Sequence, residues 1–330
     1  MMTLSSSSAT ASANADLPLA VGPAISTARV LSGMTSVATL ISHDRALDGA
    51  ALEHARAALP EPGEPKWLDP GVAADIVFNA GSENDNRSVA ERVRETFAGR
   101  PIDVVVQNAA GRRKRLFVAD MDSTMIGQEC IDELADLVGQ KARVAAITER
   151  AMRGELAFAP ALRERVALLA GLPAAVTDEV IARRITLTPG GKTLVATMRA
   201  SGAYTCLVSG GFTAFTDKIA AAIGFDEASA NRLTVDPAGR LAGTVAEPIL
   251  GREAKLATLL ALRGRFGLTA GETLAVGDGA NDLDMILAAG LGVAFHAKPA
   301  VAAAAAARID HGDLTALLFV QGYRRNEFVA

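Results

Sequence analysis

The segment Leu116–Thr124 places the strongest constraint on how this chain folds. A short apolar run, Leu116–Ala119, is followed at once by Asp120 and Asp122. A buried strand that ends in acids is typical of open α/β folds, whose ligand sites lie at the carboxyl ends of parallel strands. In an extended strand, residues two apart lie on one face, so the two carboxylates are expected side by side. Such a pair needs a cation, a shared proton or phosphate chemistry to offset its repulsion.

The length of 330 residues predicts two domains, and 50% hydrophobic residues are enough for sizeable cores. The 33 basic and 37 acidic residues leave a net charge of −4, so nucleic acid and anionic membranes are not expected as partners. The basic cluster Arg112–Arg115 is interpreted as a solvated junction leading into the next strand. No apolar run is long enough for a membrane span, and a cytoplasmic location is expected.

Local patterns divide the chain into three parts. Residues 1–27 are rich in Ser and Ala without periodicity, which predicts a disordered tail rather than a signal peptide. Residues 28–111 alternate strands and helices and predict a small α+β domain. Residues 112–330 predict a larger α/β domain, in which a helical block at about 139–187 follows the first strand. A helical insertion at that point suggests a cap over the site.

Three predicted strands end in polar clusters: Asp120 and Asp122 after the first, Ser209-Gly210-Gly211 after 204–208, and Gly277-Asp278-Gly279-Ala280-Asn281-Asp282 after 273–276. Parallel strands joined by helices bring such ends to one rim of the sheet. The sequence therefore predicts one composite site at that rim.

The residue types at this rim indicate phosphoryl transfer. The four acids, Asp120, Asp122, Asp278 and Asp282, suit Mg²⁺, which prefers carboxylates together with water and substrate phosphate. Glycines beside Ser209 let backbone N–H groups approach an anion, and Lys255 can supply a cation. An Asp nucleophile fits better than a nucleotide site, because the chain has no Gly-x-x-x-x-Gly-Lys-Ser/Thr motif.

In order and identity these motifs resemble those of the haloacid dehalogenase superfamily. The four motifs stand here as Asp120-x-Asp122-x-Thr124, Ser209, Lys255 and Gly277-Asp278-x-x-x-Asp282. The resemblance implies a Rossmannoid, three-layer α/β core with a parallel sheet and an inserted helical cap.

Within that superfamily, Leu116 to Phe319 is similar to the phosphoserine phosphatase family. The resemblance implies that Glu129 contacts a substrate amino group, that Arg165 binds its carboxylate, and that Met152 and Phe158 line the pocket. Longer members of that family carry an N-terminal domain of the amino-acid-binding ACT type, with which the α+β pattern of residues 28–111 is compatible.

The same resemblance implies a mechanism and a metal. Asp120 attacks phosphorus, and Asp122 protonates the leaving oxygen and later deprotonates water. Mg²⁺ is held by the carboxylates of Asp120 and Asp278 and the backbone carbonyl of Asp122. The phosphate is held by Ser209, Gly210, Gly211, Lys255 and Asn281. Asp282 and Thr124 do not contact the substrate in this scheme but orient the residues that do.

The implied reaction is hydrolysis of O-phosphoserine to serine and phosphate, the last step of serine biosynthesis. Two alternatives stay open: a phosphatase for another small phosphomonoester such as phosphohomoserine, and a non-enzymatic amino-acid-sensing module. A second copy of the chain and an amino acid on the N-terminal domain are the other candidate partners.

Overall fold

The computed structural model describes residues 35–81, 85–152 and 155–330, without the side chain of Met152. The predicted tail at 1–27 and the predicted pocket contact of the Met152 side chain lie outside the described residues. Within these ranges, no helix has both the length and the apolar character that a membrane crossing requires.

The first part of the chain forms a four-stranded antiparallel sheet with two helices. Its elements are β1 (Thr35–Ser42), α1 (Gly49–Ala57), β2 (Lys66–Asp69), β3 (Ala73–Asn79), α2 (Asn86–Glu95) and β4 (Ile102–Asn108). The strand order β2-β3-β1-β4 and the element order βαββαβ are those of the ferredoxin-like arrangement. Strand β2 is not predicted from the sequence. It is an edge strand in which Lys66 and Trp67 are exposed and only Leu68 is buried. That this domain is of the ACT type stays a prediction.

This small sheet is covered on both faces. Ala38, Leu40 and Ile76 pack in a core with α1 and α2. Ile41 and Val105 instead belong to the core of the larger domain. Because successive side chains of a strand point to opposite faces, one strand can serve both cores. The small sheet therefore packs directly against the larger domain.

The larger domain follows in chain order. Its elements are β5 (Leu116–Ala119), α3 (Cys130–Leu137), α4 (Lys141–Met152), α5 (Phe158–Ala167), α6 (Val176–Arg184), α7 (Gly191–Ala200), β6 (Tyr204–Phe212), α8 (Thr213–Ile223), β7 (Glu227–Asn231), β8 (Leu233–Val235), β9 (Leu241–Val245), α9 (Arg252–Arg265), β10 (Thr273–Gly277), α10 (Leu283–Ala288), β11 (Leu291–Phe295), α11 (Pro299–Ala304), β12 (Ala307–Ile309) and α12 (Ala316–Val320).

Six of these strands form one parallel sheet in the order β12-β11-β10-β5-β6-β7. The side chains of β5 alternate between its two faces. Phe117 packs with residues of α7 and α8, and Val118 packs with residues of α9 and α10. Helices thus cover both faces, and the predicted three-layer α/β fold with a parallel sheet is confirmed.

Helix α3 follows β5, and α4 to α6 then lie within 139–187, the stretch predicted as the helical cap. The hairpin β8–β9 packs against this block, because the Gly171 N–H donates to the Leu241 carbonyl and the Leu241 N–H donates to the Leu172 carbonyl. The block therefore contacts a later part of the chain as well as following β5.

The alanine run 302–307 departs from the helix that its composition predicts. Helix α11 ends at Ala304, and Ala307 begins β12. Ala307 pairs with Val293 of β11, and Ile309 is fully buried. Burial and strand pairing at the sheet edge outweigh the helix propensity of alanine here.

Arg112 and Lys114 do not lie on the solvated junction that the sequence predicts. Both are largely buried. Arg112 makes hydrogen bonds to Asp75 of β3 at 2.6 and 3.0 Å, and it donates to the carbonyl of Val320 in α12. Paired with a carboxylate, this guanidinium joins the small sheet to the larger domain.

Candidate active site

The carboxyl ends of β5, β6 and β10 meet at one rim, as parallel pairing requires. Asp120 directly follows β5, and its N–H donates to the Val276 carbonyl of β10 at 3.0 Å. Ser209 lies within β6, which pairs with β5 on its other side. The predicted composite site is therefore assembled around Asp120, whose side chain is only 4% exposed.

Lys255 links two of the rim acids. Its Nζ lies 2.5 Å from Asp120 Oδ1 and 2.6 Å from Asp282 Oδ1. Burial by itself would lower the pKa of Lys255, but the charges of Asp120 and Asp282 raise it above its usual value. Lys255 thus stays an ammonium ion beneath the rim, and it is not among the residues that line the cavity.

The rim nevertheless has an excess of acids. Burial, followed by the charge of Asp282, raises the pKa of Asp120 and also that of Asp278. Carboxylate oxygens of Asp120, Asp278 and Asp282 lie within 4.8 Å of one another. Lys255 contacts two of these three acids and cannot balance all of them, so the donor set fits a hard divalent cation such as Mg²⁺.

Both carboxylate oxygens of Asp282 already accept hydrogen bonds. Oδ1 accepts from Lys255 Nζ, and Oδ2 accepts from the Gly279 N–H at 3.0 Å. Asp282 is fully buried and does not line the cavity, whereas Asp120 and Asp278 do. Asp282 therefore lies beneath the cavity, and its supporting role stays a prediction. Thr124, the other predicted supporting residue, places its hydroxyl 3.4 Å from Asp278 Oδ1.

Asp122 does not share a strand face with Asp120, which corrects the first expectation from the sequence. The strand ends at Ala119, and Ser123 adopts a left-handed conformation with φ of 56° within an irregular turn. Asp122 Oδ1 accepts from the Cys130 N–H at 2.8 Å, and Oδ2 accepts from the Ser209 hydroxyl at 2.9 Å. The two acids therefore have separate partners.

Glycines bring the backbone of β6 close to this acid. The Gly211 N–H donates to Ser209 Oγ at 2.8 Å. A Cβ at position 211 would lie 3.0 Å from both Asp122 Oδ2 and Ser209 Oγ. Gly210 is less crowded, since a Cβ there would lie 3.3 Å from the Phe158 ring. Close approach therefore favours glycine at both positions.

A cavity of about 610 Å³ lies between this rim and the helical cap. From the rim it is lined by Asp120, Asp122, Ser209, Gly210, Gly211, Phe212, Asp278, Gly279, Ala280, Asn281 and Lys298. From the cap it is lined by Glu129, Ile131, Asp132, Thr148, Ala151, Leu156, Phe158, Leu162 and Arg165. Nearly all the predicted site residues thus meet in one cavity. The exceptions are Lys255, Asp282 and Thr124 beneath it, and Met152, whose side chain is not described.

The cap side carries the predicted pair of charged residues, Glu129 and Arg165. Glu129 accepts from the Ser123 hydroxyl at 2.8 Å, and burial together with the charge of Asp122 raises its pKa to about 7. Arg165 donates to the Ala161 carbonyl at 3.2 Å and to Thr148 Oγ1 at 3.4 Å. Burial lowers the pKa of Arg165, although nearby acids oppose this. Among the described residues, Arg165 forms no ion pair.

Three polar cavity residues were not among the predicted site residues. Lys298 follows β11 at the same rim, and its charge lowers the pKa of Asp278 against the larger effect of burial. Asp132 lies one helical turn after Glu129 on α3, a spacing that places both on one side of the helix. Thr148 has no sequence signal of its own, because its position depends on how α4 packs against α5.

Comparison with known proteins agrees with this arrangement. Residues 117–287, just over half of the chain, match the family of haloacid dehalogenase-like hydrolases. A phosphoserine phosphatase from Mycobacterium tuberculosis is 45% identical over 231 residues, which are 69% of this chain and 56% of that protein. One from a Polaromonas species is 47% identical over 210 residues, or 62% of this chain and 88% of that protein.

Among solved structures, a probable phosphoserine phosphatase from Vibrio cholerae superposes with a TM-score of 0.69 at 30% identity, covering 89% of this chain and 88% of that one. The chain spans little more than half the length of the Mycobacterium tuberculosis relative. The matched residues, the shared fold and the motifs at the rim agree with one another. This chain belongs to the haloacid dehalogenase-like hydrolase family.

Proposed function

We propose that this protein is a Mg²⁺-dependent phosphoserine phosphatase that completes serine biosynthesis by hydrolysing O-phosphoserine to serine and phosphate. The observation that carries the proposal is the pairing of two ends in one cavity. At one end Asp120 lies beside Lys255, and at the other Glu129 and Arg165 line the cap. Phosphoserine needs both ends, because it combines a phosphate ester with an ammonium and a carboxylate group.

Asp120 is the proposed nucleophile. Its carboxylate lines the cavity while Oδ1 accepts from the Met121 N–H at 2.8 Å and from Lys255. Attack by an oxygen of Asp120 forms an aspartyl phosphate as the phosphorus–serine oxygen bond breaks. Lys255 offsets the negative charge that Asp120 and the phosphate bring together.

Asp122 is the proposed proton carrier. In its protonated form it gives its proton to the serine oxygen as that oxygen leaves. The resulting carboxylate then takes a proton from the water that attacks the aspartyl phosphate, which regenerates Asp120 and the acid. The bonds from Ser209 and the Cys130 N–H orient Asp122 for both steps.

The carboxylates of Asp120 and Asp278 and the backbone carbonyl of Asp122 would hold Mg²⁺. The surplus of acids over Lys255 supports such a cation. When bound, Mg²⁺ supplies positive charge at the phosphoryl oxygens. Ser209, the N–H groups at Gly210 and Gly211, and Asn281 would bind the phosphate from the rim.

The cap residues would select the rest of the substrate. A guanidinium suits a carboxylate because it can donate two parallel hydrogen bonds, and Glu129 suits an ammonium group. Phe158 packs over Gly210 and Gly251. An added Cβ would lie 3.3 Å from the Phe158 ring at Gly210 and 3.0 Å from it at Gly251. This contact holds the cap against the rim and would exclude bulk water during the first step.

Phosphohomoserine is the second candidate substrate, because it carries the same three groups with one more methylene. A non-enzymatic sensing module is disfavoured by the presence of Asp120, Asp122 and Lys255 at one rim. A cytoplasmic location, a homodimer and an amino-acid ligand on the N-terminal domain stay predictions.

The test is phosphate release from purified protein, measured with phosphoserine, phosphohomoserine, phosphoethanolamine and a simple alkyl phosphate, each with Mg²⁺ and with chelator. We expect phosphoserine to have the highest kcat/KM and chelator to abolish release. Asp120→Asn should lose activity by at least about 10³-fold, since the amide is a poor nucleophile. Full activity of Asp120→Asn would overturn the mechanism, and preference for a substrate without a carboxylate would overturn the assigned substrate.

A further inference from the structure

Asp103 of β4 extends from the small sheet into the larger domain. The N–H groups of Asp310 and Gly312 donate to its Oδ1 and Oδ2, each at 2.7 Å. The His311 N–H donates to both oxygens, at 3.2 and 3.3 Å. Asp103 is only 2% exposed. One buried carboxylate thus satisfies three successive N–H groups of the segment 310–312, which belongs to the other domain.

The segment 310–312 lies at the edge of the sheet that carries the active-site rim. It directly follows β12, which runs parallel to β11 and β10, so its position is at the same edge of the sheet as Asp120 and Asp278. A Cβ at Gly312 would lie 3.1 Å from Asp103 Oδ2. A side chain at this position would push against the carboxylate, so the contact depends on glycine.

His296 connects this segment to the end of β11. Its Nε2 lies 2.8 Å from the Gly312 carbonyl oxygen, and because a carbonyl can only accept, Nε2 carries the hydrogen. The His296 N–H donates to the Ile309 carbonyl at 2.9 Å. His296 has φ of 45°, a left-handed conformation that is unfavourable for a residue other than glycine. These two bonds hold the backbone in that conformation.

Lys298, two residues after His296, lines the cavity. The Lys298 N–H donates to the backbone carbonyl of Asp278 at 3.1 Å. The direction in which β11 leads into α11 is set at His296. The position of Lys298 beside Asp278 therefore depends on the bonds that hold His296 and, through them, on segment 310–312.

We infer, on the basis of the proposed function, that Asp103 is a positioning residue for the phosphatase site. It fixes segment 310–312 and, through His296, the backbone that carries Lys298 and contacts Asp278. The small N-terminal domain thereby contributes to the geometry of the active-site rim, although none of its described residues, 35–81 and 85–111, lines the cavity.

The second anchor between the domains offers a matched control. Asp75, on the same small sheet and also buried, pairs with Arg112, which donates to the carbonyls of Phe319 and Val320. None of these four residues lines the cavity. Because Asp75 bonds to Arg112 rather than to segment 310–312, we expect Asp75→Asn to weaken the contact between the domains and to leave that segment unchanged.

The experiment compares Asp103→Asn, Asp75→Asn and the unchanged protein in two measurements. The first is hydrogen–deuterium exchange of peptides that cover 295–299 and 309–313, which needs no catalysis. The second is the Mg²⁺ concentration that gives half-maximal phosphate release. For Asp103→Asn we expect faster exchange in both peptides and a Mg²⁺ requirement raised about 3- to 10-fold, whereas Asp75→Asn should leave both nearly unchanged. Gly312→Ala, a milder perturbation of the same contact, should change both in the same direction.

The outcomes separate the two proposals. If exchange at 295–299 stays unchanged while 309–313 exchanges faster, the positioning role is overturned. Equal changes in Asp103→Asn and Asp75→Asn overturn it as well, because they indicate only weaker domain contact. If the unchanged protein releases no phosphate from any ester, the proposed function fails, while the exchange pattern still decides whether Asp103 positions 295–299.

Discussion

The two ends of the cavity differ in how their charges are paired. At the rim, Asp120 and Asp282 share Lys255, and Asp122 is bonded to Ser209. On the cap, Glu129 has the hydroxyl of Ser123 as its partner, and Arg165 forms no ion pair among the described residues. The reacting groups of the rim thus have fixed partners without substrate, although an excess of acid remains there for a cation, whereas Glu129 and Arg165 on the cap form no ion pair among the described residues.

This difference indicates a division of work. Preorganised charges at the reacting end stabilise the transition state without reorganisation during the reaction. Undercompensated charges at the other end raise the energy of the empty pocket, and a zwitterionic ligand that pairs with both relieves this cost. We therefore expect changes at the rim to act on chemistry and stability, and changes on the cap to act on substrate binding.

Lys255→Met should give the largest effect, because it breaks the pairing at the rim. We expect kcat to fall by about 10³-fold or more, since a positive charge next to the nucleophile is lost. Stability should fall by about 3 to 5 kcal/mol, because Asp120 and Asp282 stay buried without their partner. Phosphate release and denaturant unfolding measure the two effects.

The pH dependence of the stability loss follows from the sign of the pKa shift. Burial raises the pKa of Asp120 in the folded protein, so the folded state of Lys255→Met binds more protons than the unfolded state above the usual pKa. Its stability should therefore decrease as pH rises from 5 to 8. Lys218→Met is the control, because Lys218 pairs with Asp178 on the surface and should contribute about 1 kcal/mol or less. Equal losses in both variants would contradict the proposed pairing.

Arg165→Ala tests the cap, and its effect should depend on the substrate. We expect KM for phosphoserine to rise roughly 10- to 100-fold, the value of a charge-assisted hydrogen bond to a carboxylate. KM for phosphoethanolamine, which lacks the carboxylate, should change little. Arg163→Ala is the matched control on the same helix, since Arg163 is exposed and pairs with Glu247. If both substrates respond equally to Arg165→Ala, the carboxylate site is wrongly assigned.

Glu129→Gln should have the smallest effect, which appears as a change in pH dependence. The pKa of Glu129 is raised to about 7, so the group is neutral below this pH and anionic above it. Because the anion binds the ammonium, kcat/KM for phosphoserine should rise as pH increases through about 7. Glu129→Gln should remove this rise, with a loss of about 10-fold at pH 8.

The phosphate ester of 3-hydroxypropionate provides the comparison for Glu129, because it keeps the carboxylate of phosphoserine and lacks the amino group. Its kcat/KM should show the same pH dependence in both proteins. A rise through pH 7 that persists in Glu129→Gln with phosphoserine would contradict the assignment of Glu129 to the ammonium group.

Strand ends were the part of the site most accessible to sequence reasoning. The apolar runs before Asp120, Ser209 and Asp278 are local patterns, and parallel pairing then brings their ends together. Short edge strands were missed, because β2, β7 and β12 have weak patterns and depend on a neighbouring strand for their form. The burial of Lys255 beneath the rim was likewise beyond prediction, since a lysine near a helix start is equally compatible with a place in the cavity.

The α/β class can be predicted from the sequence, as can the helical block after β5 and the residues that converge at the rim. These follow from periodicity and from motifs within short stretches of chain. Three-dimensional packing is needed to know that Asp120 and Asp122 have separate partners, that Arg112 is buried between the domains and that Asp103 holds segment 310–312. Asp103 and Gly312 are 209 positions apart, and no local pattern encodes a bond between them. Such contacts arise only when two independently patterned domains pack, because each buried polar group must then find its partner on the other.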